Sequence, residues 1–201
     1  GNISNWVMYS DDFGQNWAIL GAPMTPPVPA SADEPKAEEL PDGSVICSSR
    51  VGGGRWYNIF NYTDIAKAEG TWGNCTKSTL VQASSNACNG EIMVLPVEKK
   101  ATGEKMYLAL QSIPFGPSRS HVGINFKELN GYEDYGTVEN FAADWDGAYQ
   151  VTALDAAYST MSWQHDNKLA FLYEEATYGK GYCGVYKSLS IEQITDSVYS
   201  Y

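Results

Sequence analysis

Three arginines, two histidines and four cysteines bound the chemistry open to this 201-residue chain. The arginines are Arg50, Arg55 and Arg119, and every other cation is a lysine. A guanidinium fork matches a carboxylate at two points, whereas an ammonium offers a single charge. Recognition of a small anion therefore has to rest on very few, well-placed arginines. His121, His165, Cys47, Cys75, Cys88 and Cys183 are the candidate zinc ligands. No cysteine pair has CxxC spacing and only two histidines are at hand, so no metal site and no cofactor is expected. Cys75 and Cys88 fit either a disulfide in an oxidising compartment or two apolar free thiols. No lysine follows Gly52-Gly53-Gly54 at the spacing of a phosphate loop. The two histidines show no triad pattern in the sequence.

Short strand-like runs must position these groups. They fall at residues 6–9, 17–20, 36–40, 44–49, 56–62, 91–97, 105–111, 121–126, 149–153, 158–162, 169–174 and 182–187. Turn residues separate them, notably Pro41-Asp42-Gly43 and the three glycines from Gly52. Pro23, Pro26, Pro27 and Pro29 predict an extended connector that is neither helix nor central strand. Ser190 predicts a helix cap, with Glu192 and Gln193 in the first turn. Runs group in threes and fours, one group about every 45–50 residues. That period suits propeller blades, each a small four-stranded sheet.

Composition agrees with an all-β chain: fourteen tyrosines, six tryptophans and nineteen glycines. The net charge of −11 sets up a field that repels a polyanion, and no basic stripe reverses it, so nucleic acid is not expected as a partner. No apolar run is long enough to cross a membrane. The chain begins Gly1-Asn2 rather than with Met, as expected of a cut inside a longer protein. Asn2, Asn61 and Asn74 lie in N-x-S/T triplets, which are common by chance.

Residues Ser10-Asp11-Asp12-Phe13-Gly14-Gln15-Asn16-Trp17 fit the pattern S-x-D-x-G-x-x-W. Asp12 can accept backbone N–H groups inside such a turn, and Gly14 can take positive φ. Trp17 is expected to fold back as an apolar plug. This segment resembles the Asp-box turn of sialidases and related propellers. A degraded second copy is expected across Tyr62-Thr63-Asp64 and Gly70-Thr71-Trp72-Gly73.

The resemblance extends from Ser10 to about Tyr186. It implies a six-bladed sialidase-type β-propeller, with three to four blades' worth in residues 1–201 as the C-terminal portion of the catalytic domain. Residues from Asp33 through Leu40-Pro41-Asp42-Gly43 to Ser49-Arg50 look like the family segment in which a glutamate precedes a hairpin ending in arginine. Glu34 is then the general base, with Glu38 and Glu39 as competitors, and Arg50 is the second arginine of a carboxylate-binding triad. Residues from Ile113 to Phe126 resemble the segment that carries the third arginine, here Arg119. Asp155-Ala156-Ala157-Tyr158-Ser159-Thr160-Met161 resembles the nucleophile segment, which makes Tyr158 the nucleophile. The family differs from most glycoside hydrolases in using a tyrosine there. Sialic acid carries a carboxylate on its anomeric carbon, and a neutral phenol approaches that centre more readily than a carboxylate does.

The resemblance thus implies an exo-α-sialidase, a retaining glycoside hydrolase that acts on terminal sialic acids of glycans. A trans-sialidase would use the same residues. A non-catalytic Asp-box propeller that binds glycan or protein is the alternative, and it predicts that the four side chains do not converge. A third reading is an Asp-box hydrolase that uses carboxylates alone. No segment matches the one that supplies the first arginine or the aspartate acid/base, and Arg55 sits in the wrong segment to replace that arginine. Expected partners are therefore a sialylated glycan and either the missing N-terminal half or a second copy of the chain. A secreted or periplasmic parent is expected, because sialidases usually work there.

Overall fold

Strand side chains alternate between two faces, and here the alternation buries both faces of the central sheet. The computed structural model describes residues 5–21, 27–28, 32–177, 179 and 181–201. Pro23, Pro26, Pro29 and Asn2 of the sequence reading lie outside them. The fold is all-β. A short ribbon comes first, β1 (Met8–Tyr9) against β2 (Ala18–Ile19). The next sheet runs β3 (Asp33–Glu39), β4 (Val45–Val51), β5 (Gly54–Asp64) and β6 (Glu69–Trp72), with β7 (Thr76–Lys77) also paired to β5. The central sheet holds β8 (Ile92–Lys99), β9 (Glu104–Pro114), β10 (Val122–Leu129) and β11 (Gly147–Gln150) as successive neighbours. The last sheet is β12 (Ala156–Trp163), β13 (Leu169–Glu175) and β14 (Cys183–Leu189). Finally β15 (Tyr199–Ser200) returns to the free edge of β8.

Successive residues of the central sheet face different cores. Leu95, Val97, Leu108, Leu110, Val122 and Ile124 meet Met161, Leu169 and Phe171 of the last sheet. Ile92, Ala109 and Leu129 point the other way and meet Ile46, Tyr57 and Ile59 of the β3–β7 sheet. The sheets are therefore stacked face on face, each covering the next.

Two short helices, α1 (Tyr132–Tyr135) and α2 (Val138–Ala142), cover the second core. The sequence reading did not foresee them. Their starts are local and polar: Asp134 accepts the N–H groups of Asn130 and Gly131, and Thr137 accepts from Asn140. Below them Phe141 is fully buried, edge-on to Tyr57 at 5.0 Å and to Trp145 at 5.9 Å. The helix at Ser190 forms as expected, as α3 (Ile191–Ile194). Ser190 and Gln193 cap each other there.

Two expectations about turns fail. Asp12 does gather the Ser10–Trp17 turn, accepting from Asn16 N at 2.8 Å, and Gly14 has φ +83. Trp17, however, is 60% exposed, and its indole N–H binds the carbonyl of Gly14. The ribbon spans two residues per strand, and the residue it sinks into the core is Leu20. Across residues 62–73 there is no second such turn but the β5–β6 hairpin, where Asp64 pairs with Lys67 at 2.7 Å. Trp72 instead packs on Phe60 and donates to the carbonyl of Leu20, tying the ribbon to the sheet. All four cysteines are free thiols, and Cys75 packs with the Val28–Ala32–Cys47 cluster rather than with Cys88.

Phe141→Ala is expected to destabilise the chain by about 3–5 kcal/mol, since it opens a cavity under α2 that the paired rings cannot close. Chemical denaturation followed by tryptophan fluorescence measures this.

Candidate active site

Glu34 and Tyr158 are placed by the same backbone device. From Asp33 to Lys36 strand β3 advances three residues while β4 advances two, from Arg50 to Ser48. From Ala156 to Ser159 strand β12 advances three while β13 advances two, from Glu175 to Tyr173. Each is a β-bulge, which breaks the alternation and turns a side chain away from its ladder position. Glu34 sits in the first bulge at φ +43, a left-handed conformation unusual for a non-glycine residue. Pro35 follows it and brings no N–H that would need a ladder partner. Tyr158 sits in the second bulge, and its N–H is taken by the Glu174 carboxylate at 3.3 Å.

The two bulged side chains meet. The Tyr158 hydroxyl donates to Glu34 Oε1 at 2.8 Å. Arg50 Nη1 donates to the same oxygen at 2.7 Å and to the Tyr158 hydroxyl at 3.1 Å. Asp33 lies on the other side of Arg50, with Oδ1 3.7 Å from Nε. Arg119 lies over the Tyr158 ring, its guanidinium carbon 5.2 Å from the centroid. Backbone bonds fix that approach: the carbonyl of Arg119 accepts from Ala156 N at 3.0 Å, and Ser120 bridges to Asp155. All four residues are half-buried. Tyr158 also borders an open hollow of about 270 Å³, with Lys36, Asn89, Thr160, Leu172 and Glu174 on its walls.

Burial alone would push the Glu34 carboxyl up, but the hydrogen bonds from Arg50 and Tyr158 outweigh it and hold the group below its usual range. Arg50 shows the converse: burial disfavours its charge, and Glu34 more than restores it. Glu34 is thus a carboxylate at neutral pH, already bonded to the proton of a phenol. Its other oxygen, Oε2, is buried and has no hydrogen-bond partner. Glu38, a competitor for the base in the sequence, has its carboxyl pushed up by burial and bonds the N–H of Glu39.

So the structure brings together Glu34, Arg50, Arg119 and Tyr158. Sequence reasoning set Arg55 aside as standing in the wrong segment and gave Glu174 no role. A signal for Arg55 existed: the turn through Gly53, at φ +72, joins β4 to β5 so tightly that Arg50 and Arg55 become direct partners. Glu174 gave no signal, because its role depends on a bulge.

No protein-family model matches the chain, and no curated protein does. Among solved structures it is similar to the K499G mutant of NanB sialidase from Streptococcus pneumoniae, with a TM-score of 0.66 and 20% identity. The match covers 96% of this chain and 28% of that one. The likeness is one of fold: an all-β chain that resembles part of a sialidase. No helix among the described residues is long and apolar enough to cross a membrane.

The lowered Glu34 pKa has a defined sign. Its contribution to stability is complete above the unfolded-state pKa and is lost as pH falls through the lower folded-state value. Glu34→Gln is therefore expected to cost about 1 kcal/mol at neutral pH, as suits a half-exposed pair. The difference from the parent chain should shrink below the ordinary carboxylate range and vanish in stronger acid. Urea unfolding curves across that range measure it, and a constant difference would contradict the assignment.

Proposed function

We propose that this chain forms the nucleophile-bearing part of a retaining exo-α-sialidase. The observation that carries the reading is the phenol of Tyr158 donating to Glu34 Oε1 at 2.8 Å while Arg50 holds both oxygens. A glycan-binding module has no need of a hydroxyl poised against an ionised carboxylate. In this reading residues 1–201 supply three to four blades of a six-bladed propeller. The rest of the propeller, or a second copy of the chain, completes the ring, and the protein is exported to where sialylated glycans lie.

The chemistry follows from the geometry. The sugar carboxylate lies against Arg50 and Arg119, whose forks match its two oxygens. This brings the anomeric carbon to the Tyr158 oxygen. Glu34 takes the phenolic proton as that oxygen forms its bond to the anomeric carbon and the bond to the leaving oxygen breaks. The leaving oxygen gains its proton from an acid outside these 201 residues. Among the described residues, the carboxylates that bond Tyr158 are Glu34, which holds the phenol, and Glu174, which holds its N–H. Water then attacks the anomeric carbon and gives its proton to the conjugate base of that outside acid, as the bond to Tyr158 breaks and Glu34 returns the phenolic proton; configuration is retained after two displacements.

The test is turnover of a fluorogenic sialoside by the full-length parent. Tyr158→Phe is expected to lower kcat by more than about a thousandfold, because it removes the attacking atom and leaves the anion-binding arginines in place. Residues 1–201 alone are expected to show no turnover. A Tyr158→Phe protein with parental kcat would refute the nucleophile.

A further inference from the structure

Arg55 is the largest fully buried side chain among the described residues, with no exposed surface. Its guanidinium nevertheless has no carboxylate within ion-pair distance among the described residues. Its acceptors are neutral oxygens: Ser48 Oγ from Nε at 2.9 Å, the Cys88 carbonyl from Nη1 at 3.0 Å, and the carbonyls of Ser48 and Glu34 from Nη2 at 3.1 and 3.5 Å. Burial lowers its pKa to about 10, so it still carries its charge at neutral pH. A buried charge without a counter-ion is costly, and an apolar side chain of the same size would pack here at less cost. Packing therefore does not explain an arginine at this position.

What the charge faces does explain it. Nη2 reaches the backbone oxygen of Glu34, the residue held in a left-handed bulge, and the Arg55 charge adds to the stronger pull of Arg50 that lowers the Glu34 pKa. The same fork grips Cys88 and Ser48, so three chain segments converge on one rigid donor. We propose that Arg55 is a positioning residue for the Tyr158–Glu34 pair: it fixes the bulge that aims Glu34 and supplies the positive field beneath its carboxylate. Arg55 touches neither Tyr158 nor a bound sugar, and it acts through Glu34. This rests on the reading of Glu34 as the base, but the site geometry can be tested without any turnover.

The experiment is a titration of the Glu34 carboxyl by carbon-13 NMR in the 201-residue chain, assigned by its loss in Glu34→Gln. The parent chain and Arg55→Met are compared, with thermal unfolding as a check on folding. The Glu34 midpoint is expected to rise by about 0.5 pH unit in Arg55→Met, since Arg55 is a lesser influence beside Arg50. In Arg55→Lys, which keeps the charge and loses the fork, it should rise by less. A merely structural arginine would lower the unfolding temperature and leave the midpoint of the folded chain where it was. That result, in a folded Arg55→Met, overturns the proposal. Where Arg55→Met does not fold, Arg55→Lys decides, and a midpoint equal to that of the parent overturns it. Failure of sialoside turnover would instead count against the catalytic reading and leave this titration unaffected.

Discussion

A buried polar seam joins the sheets that carry Glu34, Arg50 and Tyr158 and holds them in one register. Gln111 stands at its centre. Its oxygen accepts from Ser48 at 2.7 Å and from Tyr57 at 3.1 Å, and its amide nitrogen donates to the carbonyls of Glu91 and Ser112. Ser48 in turn accepts from Arg55, and Ser112 bonds Ser159 at 2.8 Å. The seam thus runs from β5 through β4 and β9 to β12. A buried donor or acceptor without a partner is expensive, so these bonds allow one register only. A slip of any sheet by one residue would break several at once. Tyr57 fits the same logic: burial drives its pKa up, against the pull of Arg55, and the phenol stays a donor. Hydrophobic contact holds the sheets together, but apolar faces can slide, and the seam is what fixes their relative positions.

That fixed position lets two bulges on different sheets meet. In a regular strand Glu34 would point along the same alternation as Lys36 and Glu38, and Tyr158 along that of Thr160. One extra residue in each strand frees the side chain from that pattern, at the cost of an unpaired backbone group. The chain meets the cost differently at the two places. Pro35 has no N–H to satisfy, and Glu174 accepts the N–H of Tyr158. Arg50, on a regular strand beside the first bulge, pairs across the ladder with both Asp33 and Arg55. It is the rigid member against which the two displaced side chains settle.

These features set what could be read beforehand. Hairpins marked by Asp42-Gly43 and by the glycines from Gly52 were legible, because turn chemistry is local. So were the apolar runs of β8, β9, β12 and β13, which lie within a few residues of the expected bounds. Glu34, Arg50, Arg119 and Tyr158 were found through motif resemblance, and the structure gathers them at one point. Helices α1 and α2 were missed because each is only a turn or so long and is stabilised by the core it covers rather than by its own periodicity. Trp17 was misplaced because a turn motif fixes the backbone, while burial depends on what lies beneath. The bulges escaped notice because a one-residue excess is a relation between two strands, and neither strand alone records it. Arg55 was set aside for a related reason: an arginine outside the matching segments has no visible partner in the sequence until its four acceptors are seen.

The distribution of charge gives the site its character. The chain carries −11, yet its whole stock of guanidinium is spent within one small region: Arg50 on Glu34 and Tyr158, Arg119 over the Tyr158 ring, Arg55 beneath Glu34. Lysines pair elsewhere, as in Lys67–Asp64 and Lys99–Glu128, while Lys36, on the wall of the hollow beside Tyr158, is held by Glu91. At a distance an anion meets a repulsive field, which salt screens over about 8 Å. At contact it meets planar forks that are already oriented and partly dehydrated, where screening is weak. Such a site selects by close fit and makes little use of long-range attraction. Polyanions gain nothing from a cationic spot this small, and on the proposed reading a single carboxylate on a compact ring uses all of it. The two half-buried guanidiniums, Arg50 and Arg119, are also those that lie against Tyr158, so on the proposed reading an anion bound to them lies within reach of the phenolic oxygen.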